Sequence, residues 1–285
     1  MDFAVDHLLH AVNDPYEVRR AFEDRYGWTG TLGGEHPDWG TYNELAYFHL
    51  SYIEWIGIKN FVLAAQSRFG REVLRSLSVH EGVGQFALRT EDIDGLAAQW
   101  AKKGLPFWGP ISGHRVRTDG SVLHWRLLFP GQDGPSDYAL PFVIDWGQSD
   151  GERLASLSEA GIMLEQPNDL RLMAIHSLVH DIDSLQQRWE PYYGSLGPDK
   201  KYVEGVGTVI NCVAGDVRLA FWEPESSQLK QELTRYGERP AQIDLAPKSN
   251  TAGQGRINDV AIIDANLEPL HGLRVQVAPS SEDHR

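Results

Sequence analysis

Two short apolar runs of this sequence each contain one acidic residue. Residues 52–57 read Tyr-Ile-Glu-Trp-Ile-Gly and residues 142–147 read Phe-Val-Ile-Asp-Trp-Gly, so Glu54 and Asp145 occupy similar places. Burying a carboxylate is costly unless a partner offsets the loss of water. The repeat therefore predicts a duplicated unit whose two carboxylates face one cavity, where they form either a divalent-metal site or a polar ligand site.

The strands that carry these acids predict a wider set of polar side chains. Successive side chains of a strand point to opposite faces, and the bulky residues are expected to pack under helices. The polar residues that remain on the other face are His7, Glu54, Gln85 and Asp145. Imidazole, carboxylate and amide groups suit a borderline or hard divalent cation. Alternative roles stay open: a hydrogen-bonded core histidine, an ion pair of Glu54 with Arg89 or Arg126, a structural Asp145, and a polar cavity wall at Gln85.

Four further residues are candidates for binding a substrate. His36 lies in a glycine-rich stretch and can reach a cavity mouth, although it can equally be a loop residue. Asn43 is a second candidate, with satisfaction of backbone groups in a turn as its alternative role. His124 and Arg126 share one strand face; facing inward, Arg126 would bind a substrate carboxylate or pair with Glu54, and facing outward it would be a surface charge. Arg115 and Arg117 lie nearby and mildly favour an anionic small molecule, although a solvated strand edge explains them equally well.

The elements around these residues repeat along the chain. A strand, a helix and three strands are predicted in residues 1–60 and again in 80–147, with an inserted helix at 61–79, and such repetition indicates a duplicated architecture. Residues 148–169 read as a connector, and residues 170–279 as a second, degenerate half. The predicted fold is α+β, with paired βαβββ modules whose curved mixed sheets surround a cavity.

The composition excludes several classes of partner. The 285 residues carry 26 Lys and Arg against 40 Asp and Glu, a net charge of -14, which argues against nucleic acid and anionic membrane surfaces. No apolar run is long enough to span a bilayer, and no basic signal segment is seen at the start. Cys212 is the only cysteine, so a disulfide framework and a thiolate zinc cluster are excluded. A cytoplasmic protein acting on a small molecule is expected, with a homodimer as an open option.

Several motifs, in order, resemble the vicinal oxygen chelate superfamily and within it the glyoxalase-like domain proteins. Asp6-His7 opens the first unit and Glu54 closes it. The other motifs are residues 33–36 (Gly-Gly-Glu-His), 40–43 (Gly-Thr-Tyr-Asn), 123–126 (Leu-His-Trp-Arg) and 140–146 (Leu-Pro-Phe-Val-Ile-Asp-Trp). The resemblance covers about residues 3–147, and it implies metal ligands on the first and last strands of two paired modules.

Carried over position by position, the resemblance places metal ligands at His7, Glu54, Gln85 and Asp145. A second histidine and a glutamate are commoner at the last two positions. The implied cofactor is a divalent ion (zinc, nickel, manganese or iron) that chelates two adjacent substrate oxygens. The implied function is a small-molecule enzyme acting on a carbonyl or vicinal-oxygen substrate, by isomerase, lyase or dioxygenase chemistry, with Glu54 as the catalytic base. A metal-free protein that binds and sequesters a small molecule is the alternative.

Overall fold

The computed structural model describes residues 3–117, 120–131, 140–162, 170–247 and 262–278. Its first eight strands form a closed barrel in the order β1-β4-β3-β2-β6-β7-β8-β5. These strands are β1 Ala4–Ala11, β2 Thr31–His36, β3 Thr41–Phe48, β4 Ser51–Ile58, β5 Gly82–Arg89, β6 Phe107–Arg117, β7 Val122–Pro130 and β8 Phe142–Asp145. The barrel confirms the prediction of paired βαβββ modules with curved sheets, because each half contributes four neighbouring strands.

Each barrel module has a helix after its first strand. Helix α1 spans Pro15–Tyr26; the side chain of Asp14 caps it, and Gly27 ends it with a φ of 68°. Helix α4 spans Ile93–Lys102 and is capped by Asp92 in the same way. The buried face of α4 packs on Leu128 and Val143 from outside the barrel. The helices therefore cover the outer surface and leave the interior to side chains of the opposite strand faces.

The segment between the two modules is helical; the sequence predicted an inserted helix at residues 61–79 and left open an interruption near Gly70. It contains helix α2, Phe61–Gln66, and helix α3, Arg68–Val79. The break falls at Ser67, which ends α2 and caps α3 by accepting a hydrogen bond from the Gly70 amide. A serine in an extended conformation satisfies the free amides of a new helix, so the interruption comes three residues before Gly70.

The later residues form an open sheet in the order β10-β11-β12-β9-β13-β14. The strands are β9 Leu170–Leu178, β10 Lys201–Val203, β11 Gly207–Ala214, β12 Val217–Pro224, β13 Arg239–Pro247 and β14 Arg274–Val277. The helices of this region are α5 Asp150–Glu159, α6 Ile182–Tyr193 and α7 Ser227–Tyr236. Part of the strand expected around residues 259–263 and part of the connector at 148–169 lie outside the described residues.

One hydrophobic core joins the barrel to the open sheet. Leu8 on the outer face of β1 belongs to the same buried cluster as Ile175 on β9, Leu219 on β12 and Ile243 on β13. Their burial fixes which face of β1 points out, because side chains alternate along a strand. His7 and Leu9 must then point into the barrel. Within the described ranges, no helix is long and apolar enough to cross a membrane.

Candidate active site

The barrel interior contains a small cavity of about 30 Å³. Most of its wall is aromatic or aliphatic, while its polar groups are two imidazoles, a carboxylate, an amide and a guanidinium. The polar residues are His7, His36, Asn43, Glu54 and Arg115. The aromatic ones are Trp39, Tyr52, Phe69, Trp125, Phe142 and Trp146. A concave, mostly apolar site with a few converging polar groups is typical of small-molecule binding.

His7 is held in one orientation by its sequence neighbour. Its Nδ1 lies 2.7 Å from Asp6 Oδ1, and its ring stacks on Tyr52 at 4.7 Å between centroids. Burial alone would raise the pKa of Asp6, but the hydrogen bond from His7 and the charges of Arg153, His7 and Arg89 outweigh it and lower that pKa. An ionised Asp6 can only accept a hydrogen bond, so His7 Nδ1 carries the proton. His7 Nε2 lies at the end of the ring that faces Glu54.

Glu54 is the acceptor toward which the other polar side chains converge. Its Oε2 lies 3.3 Å from His7 Nε2, and its Oε1 accepts a 2.5 Å hydrogen bond from Asn43 Nδ2. His36 Nε2 lies 4.0 Å from the same Oε1. The structure does not contain the ion pair of Glu54 with Arg89 or Arg126 that the sequence left open as an alternative. Arg89 binds Asp150, so the hydrogen-bond donor that offsets the burial of Glu54 is the Asn43 amide.

Asn43 and two glycines fix this arrangement from the β2 side. The Gly34 amide donates to Asn43 Oδ1 over 2.9 Å, which directs the Asn43 amide nitrogen toward Glu54. A Cβ on Gly33 would lie 2.1 Å from the Asn43 backbone oxygen, and one on Gly34 would lie 2.4 Å from the Val116 oxygen. The two glycines are therefore required by close approach of neighbouring strands to β2.

We expect Gly34→Ala to destabilise the protein by about 1–3 kcal/mol, the range for overpacking in a filled interior. The added methyl group meets the backbone oxygen of Val116 and the Cγ of Arg115 at 2.9 Å, and the backbone cannot move aside without separating β2 from β6. Urea unfolding would measure the change. Gly151→Ala is the control, since nothing lies within 4 Å of a Cβ there. Equal stability of the two variants would contradict the close packing at β2.

His36 is a neutral member of the site. Burial, followed by the charges of Arg115, His114 and His7, lowers its pKa from 6.5 to about 3. Its Nδ1 lies 2.8 Å from Thr41 Oγ1. At neutral pH this imidazole can donate or accept hydrogen bonds, but it adds no positive charge beside Glu54. His36 thus lines the cavity that the sequence expected it to reach, while its role toward a substrate remains a proposal.

Asp145 and Gln85 do not join His7 and Glu54, contrary to the expected four-residue cluster. Asp145 lies on the outer barrel face, where it accepts hydrogen bonds from Arg126 at 3.1 Å and the Gly147 amide at 2.7 Å. The Gln85 amide nitrogen is directed to the Leu140 oxygen at 3.4 Å, and Gln85 is not among the residues that line the cavity. The side chains of β8 that face the cavity are Phe142 and Ile144.

Strand register explains why the acidic echo is misleading. His7 pairs with Tyr52 across β1 and β4, and Ala87 pairs with Phe142 across β5 and β8. Tyr52 and Phe142 both line the cavity, so they are matching inward positions of β4 and β8. Counting on from Tyr52 and Phe142 by two residues, Glu54 corresponds to Ile144. The Ile-Asp-Trp motif is thus displaced by one residue, which moves its acid to the other face.

His124 and Arg126 also lie outside the barrel. They flank Trp125, whose side chain lines the cavity, so alternation directs both of them outward. Arg126 forms ion pairs with Asp94 at 2.8 Å and with Asp145, and His124 faces His114 across the strand pair at 6.1 Å between ring centroids. Neither residue contacts the cavity that was expected to bind the substrate. Arg115, treated in the sequence only as nearby charge, is the arginine inside.

The donor set present does not fit the metal site implied by the resemblance. Two of the four expected ligands are directed away from Glu54: Asp145 lies on the outer face, and the Gln85 amide is directed to the Leu140 oxygen. The residue that pairs with His7 on β5 is Ala87, the inward residue of β8 that corresponds to Glu54 is Ile144, and neither has a donor atom in its side chain. Across the ranges that the structure describes, no group of three or more His, Cys, Asp or Glu side chains is placed to hold an ion. Of the four expected ligands, His7 and Glu54 are the two that line the cavity.

Comparison with known structures supports the fold over nearly the whole chain. A hypothetical protein from Staphylococcus aureus matches with a TM-score of 0.69 at 15% identity, covering 97% of this chain and 100% of that one. A mutant of 4-hydroxymandelate synthase from Streptomyces coelicolor matches with a TM-score of 0.56 at 12% identity, covering 86% of this chain and 72% of that one. At such identities the likeness establishes the fold alone. A search of curated proteins finds no match.

The sequence itself carries the signature of a described family. Residues 5–193 match the model of the glyoxalase-like domain, which spans the complete barrel and continues to the end of α6. The chain therefore belongs to the glyoxalase-like domain family.

Proposed function

We propose that this protein is a small-molecule enzyme that moves a proton on a carbon next to a carbonyl group, with Glu54 as the base. The observation that supports it is the line Asp6–His7–Glu54, which ends inside an apolar cavity. A binding site needs hydrogen-bond donors and acceptors, whereas a buried acid that fixes one imidazole tautomer against a second acid is the arrangement used for proton transfer.

The proposed reaction needs no oxidant or reductant. Glu54 takes the proton from the carbon, the electrons of the broken C–H bond move into the adjacent carbon–carbon bond, and the carbonyl oxygen takes the negative charge. His7 Nε2, 3.3 Å from Glu54 Oε2, accepts the proton from Glu54. Asp6 stabilises the imidazolium that forms, since its pKa is lowered and it stays ionised. Return of a proton to the same or a neighbouring carbon completes an exchange or an isomerisation.

No step of this proposal passes through a metal ion, because the donors expected for one are dispersed. The proposal therefore replaces the metal-dependent mechanism expected from the resemblance by one that uses only side chains of the chain itself. The alternative, a protein that sequesters its ligand, is favoured by one observation. Six aromatic side chains line the cavity and give a large apolar contact surface. Measuring proton exchange from carbon distinguishes the proton-transfer enzyme from the sequestering protein.

The test is hydrogen exchange from carbon in D₂O, followed by proton NMR on a panel of small ketones, 2-oxo acids and 1,3-dicarbonyl compounds. We expect the protein to accelerate loss of the proton next to the carbonyl for at least one compound, and Glu54→Gln to lower that rate by about 10²–10⁴-fold, the usual contribution of a positioned acid or base. Asp145→Asn is the matched control, since it changes an acid on the outer face and should leave the rate near that of the parent.

Three results would count against the proposal. Binding of panel compounds without exchange would favour the sequestering protein. Equal loss in Glu54→Gln and Asp145→Asn would mean that stability rather than proton transfer was changed. An exchange rate that requires added zinc, nickel, manganese or ferrous iron, and disappears with a chelator, would restore the metal-dependent mechanism.

A further inference from the structure

Arg115 is a buried cation that reaches the cavity wall. It lies on β6, its side chain lines the cavity, and only 6% of the residue is exposed. Gly34 makes room for its stem, since a Cβ there would lie within 3.1 Å of both Cγ and Cδ of Arg115. The fold thus admits a long charged side chain into an interior that is otherwise mostly apolar, at a position where a glycine is needed to accept it.

No acid in the described part of the chain forms an ion pair with this guanidinium, although its charge helps to lower the pKa of Glu44 against the larger effect of burial. Among the residues that the structure describes, Asn43 Oδ1 accepts a hydrogen bond from Arg115 Nη1 at 3.4 Å, and Nε is buried without a partner. Glu44, on the strand that carries Asn43, is bound by Arg19 at 3.0 Å. Glu54 is separated from Arg115 by the Asn43 amide, which contacts both. A buried arginine is ordinarily paired with a carboxylate, and an unpaired one is costly.

The charge of Arg115 affects another residue that lines the cavity. It contributes to the lowering of the His36 pKa, after the larger effect of burial. The planar guanidinium offers several N–H donors in a fixed fork that matches a carboxylate, and such pairs are among the stronger hydrogen bonds in proteins. An anion brought by a ligand would supply the partner that the chain itself does not.

We infer that Arg115 binds the carboxylate of the substrate, and that the site takes a small monocarboxylic acid with a flat apolar body. The single positive charge matches a single negative one, and a phosphate dianion would add repulsion from Glu54 without a second cation to offset it. The rings of Trp39, Trp125 and Phe142 provide the apolar contact surface for the body of the ligand. The carboxylate assignment concerns binding; the proton transfer that follows rests on the proposed function.

The experiment compares ligands that differ only in charge. Binding of benzoate and phenylacetate, and of their neutral amides, is measured by titration calorimetry and by quenching of the cavity tryptophans. We expect the parent to prefer each acid over its amide by about 10–100-fold, the size of a charge-assisted pair in a buried site. Arg115→Met should remove that preference and leave amide binding within about threefold. Arg115→Lys should keep part of the preference, because it keeps the charge but loses the fork.

The stability of Arg115→Met without ligand shows whether a loss of binding is caused by a loss of folding. Arg115→Met replaces an unpaired buried charge by an apolar side chain, so its stability without ligand should equal or exceed that of the parent, while benzoate should stabilise only the parent. The inference is overturned by an equal preference in parent and Arg115→Met, by tighter binding of inorganic phosphate than of either acid, or by no carboxylate binding at about 10 mM, the weakest binding considered. Equal exchange rates in the parent and Glu54→Gln, with the acid preference intact, would refute Glu54 as the base and leave carboxylate binding by Arg115 standing, so the two proposals fail separately.

Discussion

Asp6→Asn is expected to lower the rate of carbon-bound proton exchange by about 10²–10⁴-fold while the protein remains folded. Trp146 Nε1 donates to Asp6 Oδ2 over 3.0 Å, and indole can only donate. An asparagine at this position must keep its oxygen toward Trp146 and turn its amide nitrogen to His7 Nδ1. His7 Nδ1 then becomes the acceptor, and the ring proton moves to Nε2. With Nε2 protonated, His7 can no longer take a proton from Glu54.

A second substitution makes this prediction specific to the tautomer. Trp146→Phe removes the indole donor, so in the double variant the introduced asparagine is free to turn its oxygen back to His7 Nδ1. We therefore expect Asp6→Asn with Trp146→Phe to exchange faster than Asp6→Asn alone, with Trp146→Phe alone as the reference. Nitrogen-15 NMR of the His7 ring reports the tautomer directly. An unchanged ring spectrum in Asp6→Asn, or no recovery in the double variant, would reject a tautomer-setting role for Asp6.

Much of the fold was predictable because local patterns agree with one another. Asp14, Pro15 and Gly27 mark the limits of α1, and Asp92 marks the start of α4, so each module's helix could be placed before its strands. Repetition then indicated the paired modules. His7 and Glu54 line one cavity, as alternation along their strands predicts. Glu54 is flanked by the bulky apolar residues Ile53 and Trp55, whereas His7 follows the acidic Asp6.

The expected placement of Asp145 beside His7 and Glu54 differs from the structure because of the strand register. The echo of Ile-Glu-Trp in Ile-Asp-Trp is compelling as sequence, yet strand pairing makes Ile144 the counterpart of Glu54. A displacement of one residue reverses the face of every side chain. The assumption that bulky residues pack outside also fails here, because Phe142 and Ile144 line the cavity while Asp145 pairs with Arg126 outside.

Arg115 was missed because charge alone does not reveal direction. Arg115, Arg117 and Arg126 read alike in the sequence, and the side chain of Arg117 lies outside the described part of the chain. The usable signal was alternation around Trp125: an aromatic residue flanked by His124 and Arg126 suggests that the polar pair is exposed. Across β6 and β7, Arg115 pairs with Leu123, which shares the inward face of Trp125. Knowing that pairing requires the structure.

Acid is expected to destabilise this protein well above the titration range of ordinary carboxylates. His10 and His36 are fully buried, and burial lowers the pKa of each from 6.5 to about 3. Above pH 6.5 both forms of the chain hold these rings neutral and the stability is complete. Below that value these two imidazoles take up protons in the unfolded chain but not in the folded chain, so stability is lost as pH falls toward 3. The free energy of unfolding should decrease by about 1.4 kcal/mol per pH unit for each ring.

Substitution of His10 isolates one of the two contributions. His10 Nε2 donates to the His271 oxygen over 2.7 Å, which leaves Nδ1 as the unprotonated nitrogen, buried without a partner. Glutamine places an amide nitrogen near Nε2 and cannot be protonated, so His10→Gln should keep the hydrogen bond and reduce the pH slope by about 1.4 kcal/mol per unit in urea unfolding between pH 6 and 4. His124→Gln, at an exposed position, is the control. A slope that both variants leave unchanged would mean that His10 takes up a proton in the folded protein, against the geometry that surrounds its Nδ1.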